Sequence, residues 1–125
     1  MKLRNLYMLN TALGLIFALG LLLMTPLMLK MFGMDNTNDA QTLAKFLAAE
    51  LTVSALITLF AMDVTDFKAR RAINLANMFG AGLGTVVALN ATLTGVMSGM
   101  GWLVVVIYAV IALGFAYFQF LGLGD

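Results

Sequence analysis

The chain contains no cysteine and no histidine, one proline, one tryptophan, and only seven Lys+Arg with six Asp+Glu in 125 residues. Without thiols and imidazoles there are no disulfides, no thiol nucleophiles, no histidine bases and none of the ordinary zinc or haem ligand sets. Hydrolytic or metal chemistry needs converging bases, nucleophiles or ligands, and this inventory does not supply them, so no enzyme activity, no catalytic residue and no cofactor is expected. A net charge of +1, with no arginine-rich arm and no basic-aromatic surface, removes nucleic acid as a partner. Charged residues make up 10% of the chain, against about 25% in soluble domains, too little polar surface to cover a globule in water.

What is abundant is apolar: 62% of the residues are hydrophobic. A membrane-spanning helix needs roughly 20 mostly apolar residues, and four of them with short connections use nearly the whole chain. The expectation is one domain over residues 1 to 125, an all-α integral membrane bundle with spans at about 6–28, 40–61, 70–93 and 102–121. Short connections make up-down-up-down the default topology. The apolar run after MKLRN is longer than a signal-peptide core and lacks an A-x-A-like cleavage site, so it is read as a retained first span. Pro26 falls in the last turn of that span; Gly33 can end a helix, Asn38 or Asp39 can cap the second span, and Asp66 the third.

Orientation follows from the basic residues near the span ends. Lys2, Arg4, Lys68, Arg70 and Arg71 share one side with both termini, whereas Lys30, joined by Lys45 if it reaches the surface, marks the other. The bias places both termini in the cytoplasm, in a multi-pass protein of the cell membrane. Tyr7 and Tyr117 near one boundary and Trp102 near the other fit the aromatic belts.

Two charges interrupt the second span, in AKFLAAELTVSAL, residues 44 to 56. Lys45 leans toward the near surface and can carry its ammonium to the headgroups. Glu50 lies near mid-depth and reaches neither surface. A spacing of five residues turns the two about 140° apart, so they are not an i, i+4 pair. Glu50 shares an i, i+4 row with Ser54 and Thr58 and is expected to face the bundle interior, with Tyr108 or an Asn77-bound water as its partner. There it acts either as a neutral acid stitching helices together or as a proton-coupling or ligand-binding group; the third alternative is exposure to lipid. The third span carries a small-and-polar row through Asn74, Asn77, Ala81, Gly84, Ala88 and Ala91, and Gly80 with Gly84 forms a G-x-x-x-G helix-packing motif.

Two other patterns carry less. Met31, Met34, Met97 and Met100 sit in or beside the two connections opposite the termini; thioethers suit Cu(I), but methionine more commonly fills apolar gaps. FGAGLGT, residues 79 to 85, lies mid-helix after no strand and is not a dinucleotide loop.

The residues from Ala69 to Ile73, Gly95 to Met97, Gly101 with Trp102, and Gly114 to Phe118, with TPLMLKMFGM at the end of the first span, resemble the small four-helix DoxX-like membrane proteins and related uncharacterised bacterial families. That resemblance implies a four-helix bundle in a prokaryotic cytoplasmic membrane and no catalytic residues. Small multidrug transporters are similar in size and also carry one membrane glutamate, but theirs lies in the first helix, where this chain has no acid. The reading reached is a non-enzymatic membrane protein acting by helix packing, as a homo-oligomer or beside a larger membrane partner. The alternative is a proton-linked transporter or channel component using a buried Glu50.

Overall fold

Leucine and alanine dominate long apolar runs that a single proline interrupts, and such runs become helices. The computed structural model describes residues 2–121. It contains α1 (Leu3–Leu23), α2 (Thr25–Met31), α3 (Asn38–Phe60), α4 (Phe67–Leu93) and α5 (Gly101–Phe120), with no strand among the described residues. α1, α3, α4 and α5 have 21, 23, 27 and 20 residues and are long and apolar enough to cross a membrane. At 1.5 Å per residue they measure about 30 to 40 Å, against a hydrocarbon core of about 30 Å.

The helix boundaries differ from the sequence reading in ways that have local causes. The first span begins at Leu3 and breaks at Met24, whose φ of −127° and ψ of 43° leave the helical region. Pro26 causes the break, because its ring opposes the Leu22 carbonyl and it has no N–H to donate. The Thr25 hydroxyl donates to the Leu21 carbonyl and lies 3.5 Å from the Leu22 carbonyl, which has lost its donor. α2 then ends in a Schellman turn: Met34 N donates to Leu29 O, Gly33 N donates to Lys30 O, and Gly33 takes a φ of +72°. The cap of α3 is Thr37, whose hydroxyl accepts from Ala40 N at 3.1 Å, in place of Asn38 or Asp39. Asp66 caps α4 by accepting from Ala69 N at 2.8 Å, and the helix starts directly after it, at Phe67.

Cross-chain bonds fix the topology. The start of α1 meets the end of α3 through Arg4 and Asp63, and the start of α4 through Tyr7 and Asn74. At the opposite end, Ser98 N donates to Phe32 O and Ser98 Oγ to Met31 O. Successive long helices therefore run antiparallel. Residues 2–4 and 61–71 lie at one end, called here the basic end, and the connections at 32–37 and 94–100 lie at the other.

Packing is by pairs, α1 chiefly on α3 and α4 chiefly on α5. The pairs join at the basic end around a core of Leu3, Leu6, Tyr7, Ala81, Ile111, Phe115 and Phe118. A second core, Ala18, Leu21, Leu29, Ala44 and Ala48, belongs to α1, α2 and α3 alone. No spanning window is more than 28% buried, so most of each helix faces outward, as suits a small bundle solvated by lipid.

Candidate functional site: a neutral polar seam and an exposed acid

Side-chain amides and hydroxyls from α1, α3 and α4 meet in a continuous seam in the half of the bundle nearer the basic end. Asn10 Nδ2 donates to Ser54 Oγ at 3.4 Å and to Thr58 Oγ1 at 3.2 Å. Ser54 Oγ donates to Asn77 Oδ1 at 3.3 Å, and Asn77 Nδ2 donates to Ile73 O at 2.9 Å. The hydroxyls of Thr11 and Thr58 lie 2.8 Å apart, and both reach Ala55 O at 3.0 Å. One turn toward the basic end, the buried Tyr7 hydroxyl donates to Asn74 Oδ1 at 2.8 Å. Among the described residues no buried side-chain nitrogen or oxygen lacks a partner. Buried polar groups in lipid bond across helices because nothing else can satisfy them, and here they tie α1 to both α3 and α4.

Ser54 and Asn77 are thus brought together as neighbours, but Glu50 is not with them. It is exposed on the outside of α3, which corrects the expectation of an acid facing inward. The buried side of α3 is centred on Ala44, Ala48, Ala55 and Thr58. An i, i+4 row drifts about 40° per step around the helix. Thr58 therefore lies inside, Ser54 on the flank, and Glu50 about 80° away from Thr58, past the edge of the packed face. The transport reading required an acid within the bundle, and the seam contains only neutral amides and hydroxyls. Lys45 is exposed as well, on a different side of α3.

Tyr108 packs on Gly84 rather than facing Glu50. A Cβ on Gly84 would lie 2.7 Å from Tyr108 Cδ1 and Cε1, so the ring rests directly on the α4 backbone. Gly80, the other half of the G-x-x-x-G motif, is exposed with nothing within 4 Å of an added Cβ, so within one chain only Gly84 serves as a packing glycine. Of the methionines, Met31, Met34 and Met100 are exposed and Met97 is half-buried. The Ser98–Phe32 bond draws their two loops together, and Gly33 is needed there twice: for its φ of +72° and because a Cβ would sit 2.7 Å from Ser98 Cβ.

Sequence reasoning missed Thr11, which reads as one more small residue in an apolar run, and the inward bond of Tyr7, which reads as a membrane-boundary aromatic. Polar residues on neighbouring spans at matching depth were the available signal: Tyr7 with Asn74, and Asn10 with Ser54 and Asn77. No family model, no curated protein and no solved structure matches the chain, so the likeness to DoxX-like proteins rests on the quoted residues alone and what is established is a small all-α membrane bundle.

Proposed function

We propose that this is a non-enzymatic membrane protein that acts by helix packing and self-associates through the outward face of α3. The observation carrying this reading is where Glu50 sits. It lies 12 residues into the 23-residue α3, about 18 Å along a helix of about 35 Å, so it is exposed near the middle of the membrane. An acidic side chain at that depth costs roughly 2.5–3.5 kcal/mol on insertion scales, a cost reduced when another helix supplies a hydrogen-bond partner.

The surroundings of Glu50 favour a helix over lipid as that cover. Leu43, Phe46, Glu50, Val53, Ile57 and Phe60 are all exposed, and their spacing alternates steps of three and four. That is the stripe by which two helices interlock side by side, with one polar residue in the seam to set register. It runs about 26 Å along the helix, most of the hydrocarbon thickness. Copies inserted in one orientation are related by a two-fold axis along the membrane normal, which sets α3 parallel to α3 of a second copy. Glu50 then faces Glu50, and the two side chains lie where they can hydrogen-bond to each other across the axis. The seam amides and hydroxyls are bonded to one another, which favours a scaffolding role over a catalytic one. By the excess of Lys and Arg, the basic end is assigned to the cytoplasm.

The absence of native cysteine makes the test clean. Single cysteines at Phe46 or Ile57 are expected to cross-link two copies in lipid nanodiscs or native membrane, and a cysteine at Val86, exposed on α4, is not. Efficient cross-linking at Val86 with none at Phe46 or Ile57, or a monomer by native mass spectrometry from mild detergent, would overturn the reading.

A further inference from the structure

Methionine has two uses in this chain, and the structure separates them. Met28, Met62 and Met78 fill gaps: each packs against one of the two cores, and the Met28 sulfur lies 3.1 Å from where a Cβ on Gly20 would stand. Met31, Met34 and Met100 belong to neither core and are exposed at the end opposite the basic end, where Met97 joins them half-buried. The two connections that carry them are held together at Ser98, whose N–H donates to Phe32 O at 2.7 Å and whose Oγ donates to Met31 O at 3.1 Å. By standard bond lengths the second bond keeps the Cα of Met31 within about 8 Å of the Ser98 Cα, and the approach of Gly33 to Ser98 keeps that of Met34 within about 10 Å of it. Met97 adjoins Ser98 in the chain, and Met100 is two residues on. Four unbranched side chains, each with three rotatable bonds and a thioether, therefore start around one point.

We propose that Met31, Met34, Met97 and Met100 form one Cu(I) site that bridges the two connections. Thioether sulfur is soft and neutral, so it selects Cu(I) over hard cations such as Mg²⁺ and Ca²⁺. It has no proton to lose on binding, so affinity is flat across ordinary pH, unlike that of a thiol or imidazole site. Thioethers are also the only soft ligands available, since the chain has no cysteine and no histidine. Asp35 and Asp39 against Lys30 leave the first connection and its flanks with one net negative charge, which favours the approach of a cation. The Ser98 bonds order the two loops before the ion arrives, so little conformational freedom is left to lose on binding. The site is independent of self-association through α3.

Cu(I) titration of the full chain in lipid nanodiscs, in competition with a chromophoric Cu(I) chelator under anaerobic reducing conditions, tests the proposal, with Ag(I) as a redox-inert second probe. One ion per chain is expected. Losing a metal's outer-shell partner alone costs about 10–100-fold in affinity, so Met31→Leu with Met34→Leu, or Met97→Leu with Met100→Leu, should each cost at least about a hundredfold. Met8→Leu, which replaces an exposed methionine in the basic half of α1, leaves affinity unchanged. Leucine is close to methionine in volume and three of the four positions are exposed, so the variants keep the fold, which thermal unfolding verifies. X-ray absorption on the loaded chain reads the ligands directly, and sulfur from both loops is expected around each copper. Full affinity after either double change would place the ligands in a single loop. Two ions per chain falling to one would mean two separate sites. Displacement by excess Ca²⁺, or an equal loss in Asp35→Asn with Asp39→Asn, would assign the ion to carboxylates, and an absence of saturable Cu(I) binding would leave these methionines without a ligand. Each of those results overturns the proposal.

Discussion

Replacing Glu50 by leucine should turn a dimer toward monomer while leaving each monomer better inserted, and the sign of the first effect is diagnostic. In water a leucine in such a stripe would tighten two helices, because a polar seam residue lowers coiled-coil stability. In lipid the apolar surface gains little by leaving hydrocarbon for another helix, so association rests on packing and interhelical hydrogen bonds. In the proposed dimer, Glu50→Leu removes the carboxyl pair that faces itself across the two-fold axis. Interhelical hydrogen bonds in membranes are worth about 0.6 kcal/mol on average and about 1–2 kcal/mol in model peptides, so the dimer Kd should rise roughly 3- to 30-fold. The same substitution trades an acid at mid-depth for an apolar side chain, which favours insertion of α3 by about 3 to 4 kcal/mol on insertion scales. Glu50→Gln retains donor and acceptor and should stay close to the parent dimer. Energy transfer between labelled copies, diluted with lipid in vesicles, gives Kd for all three, and thermal unfolding in detergent checks the monomer. A Glu50→Leu dimer as tight as the parent, or tighter, would refute the idea that the acid is covered by its own counterpart.

The other predictions concern the fold that positions this face. Gly84→Ala should cost about 1–3 kcal/mol, because the Tyr108 ring must move, whereas Gly80→Ala adds its methyl to open space and should be neutral or raise stability by up to about 1 kcal/mol; equal losses in thermal unfolding would show that the motif packs as a unit. Tyr7→Phe leaves the buried Asn74 Oδ1 without its donor and should cost about 1–3 kcal/mol, with a double-mutant cycle against Asn74→Leu recovering a coupling near 1 kcal/mol. Gly33→Ala meets both a left-handed φ of +72° and the Ser98 Cβ, so a loss of at least about 1–2 kcal/mol is expected, with proteolysis rising first in the loops at 32–37 and 94–100.

Number, length and apolarity of the spans were legible because insertion into lipid is decided segment by segment, from composition and length. Local chemistry was legible in part. Asp66 caps α4, but Thr37 took the place of Asn38 or Asp39 at α3, since neighbouring Thr, Asn and Asp are all competent caps. Pro26 was visible, but the break two residues before it depends on how Met24 and Thr25 resolve the lost hydrogen bond. Ser54, in a row expected to face inward, and Asn77, in the small-and-polar row of the third span, do meet. Tyr108 was expected as a partner of Glu50, but it lies against Gly84, because α5 packs on α4 rather than on α3.

The sequence by itself determined that this chain is a membrane protein of four apolar helices, with one acid near the centre of the second span. Tertiary structure alone decided which way that acid faces. A carboxyl in an i, i+4 row with two inward hydroxyls looks inward too, but such a row winds around the helix, and whether its far end stays inside depends on how wide a face the neighbours cover. In the half of α3 away from the basic end only α1 and α2 provide a core, so the packed face is narrow, Glu50 falls beyond its edge, and a candidate interior site becomes a candidate contact between copies.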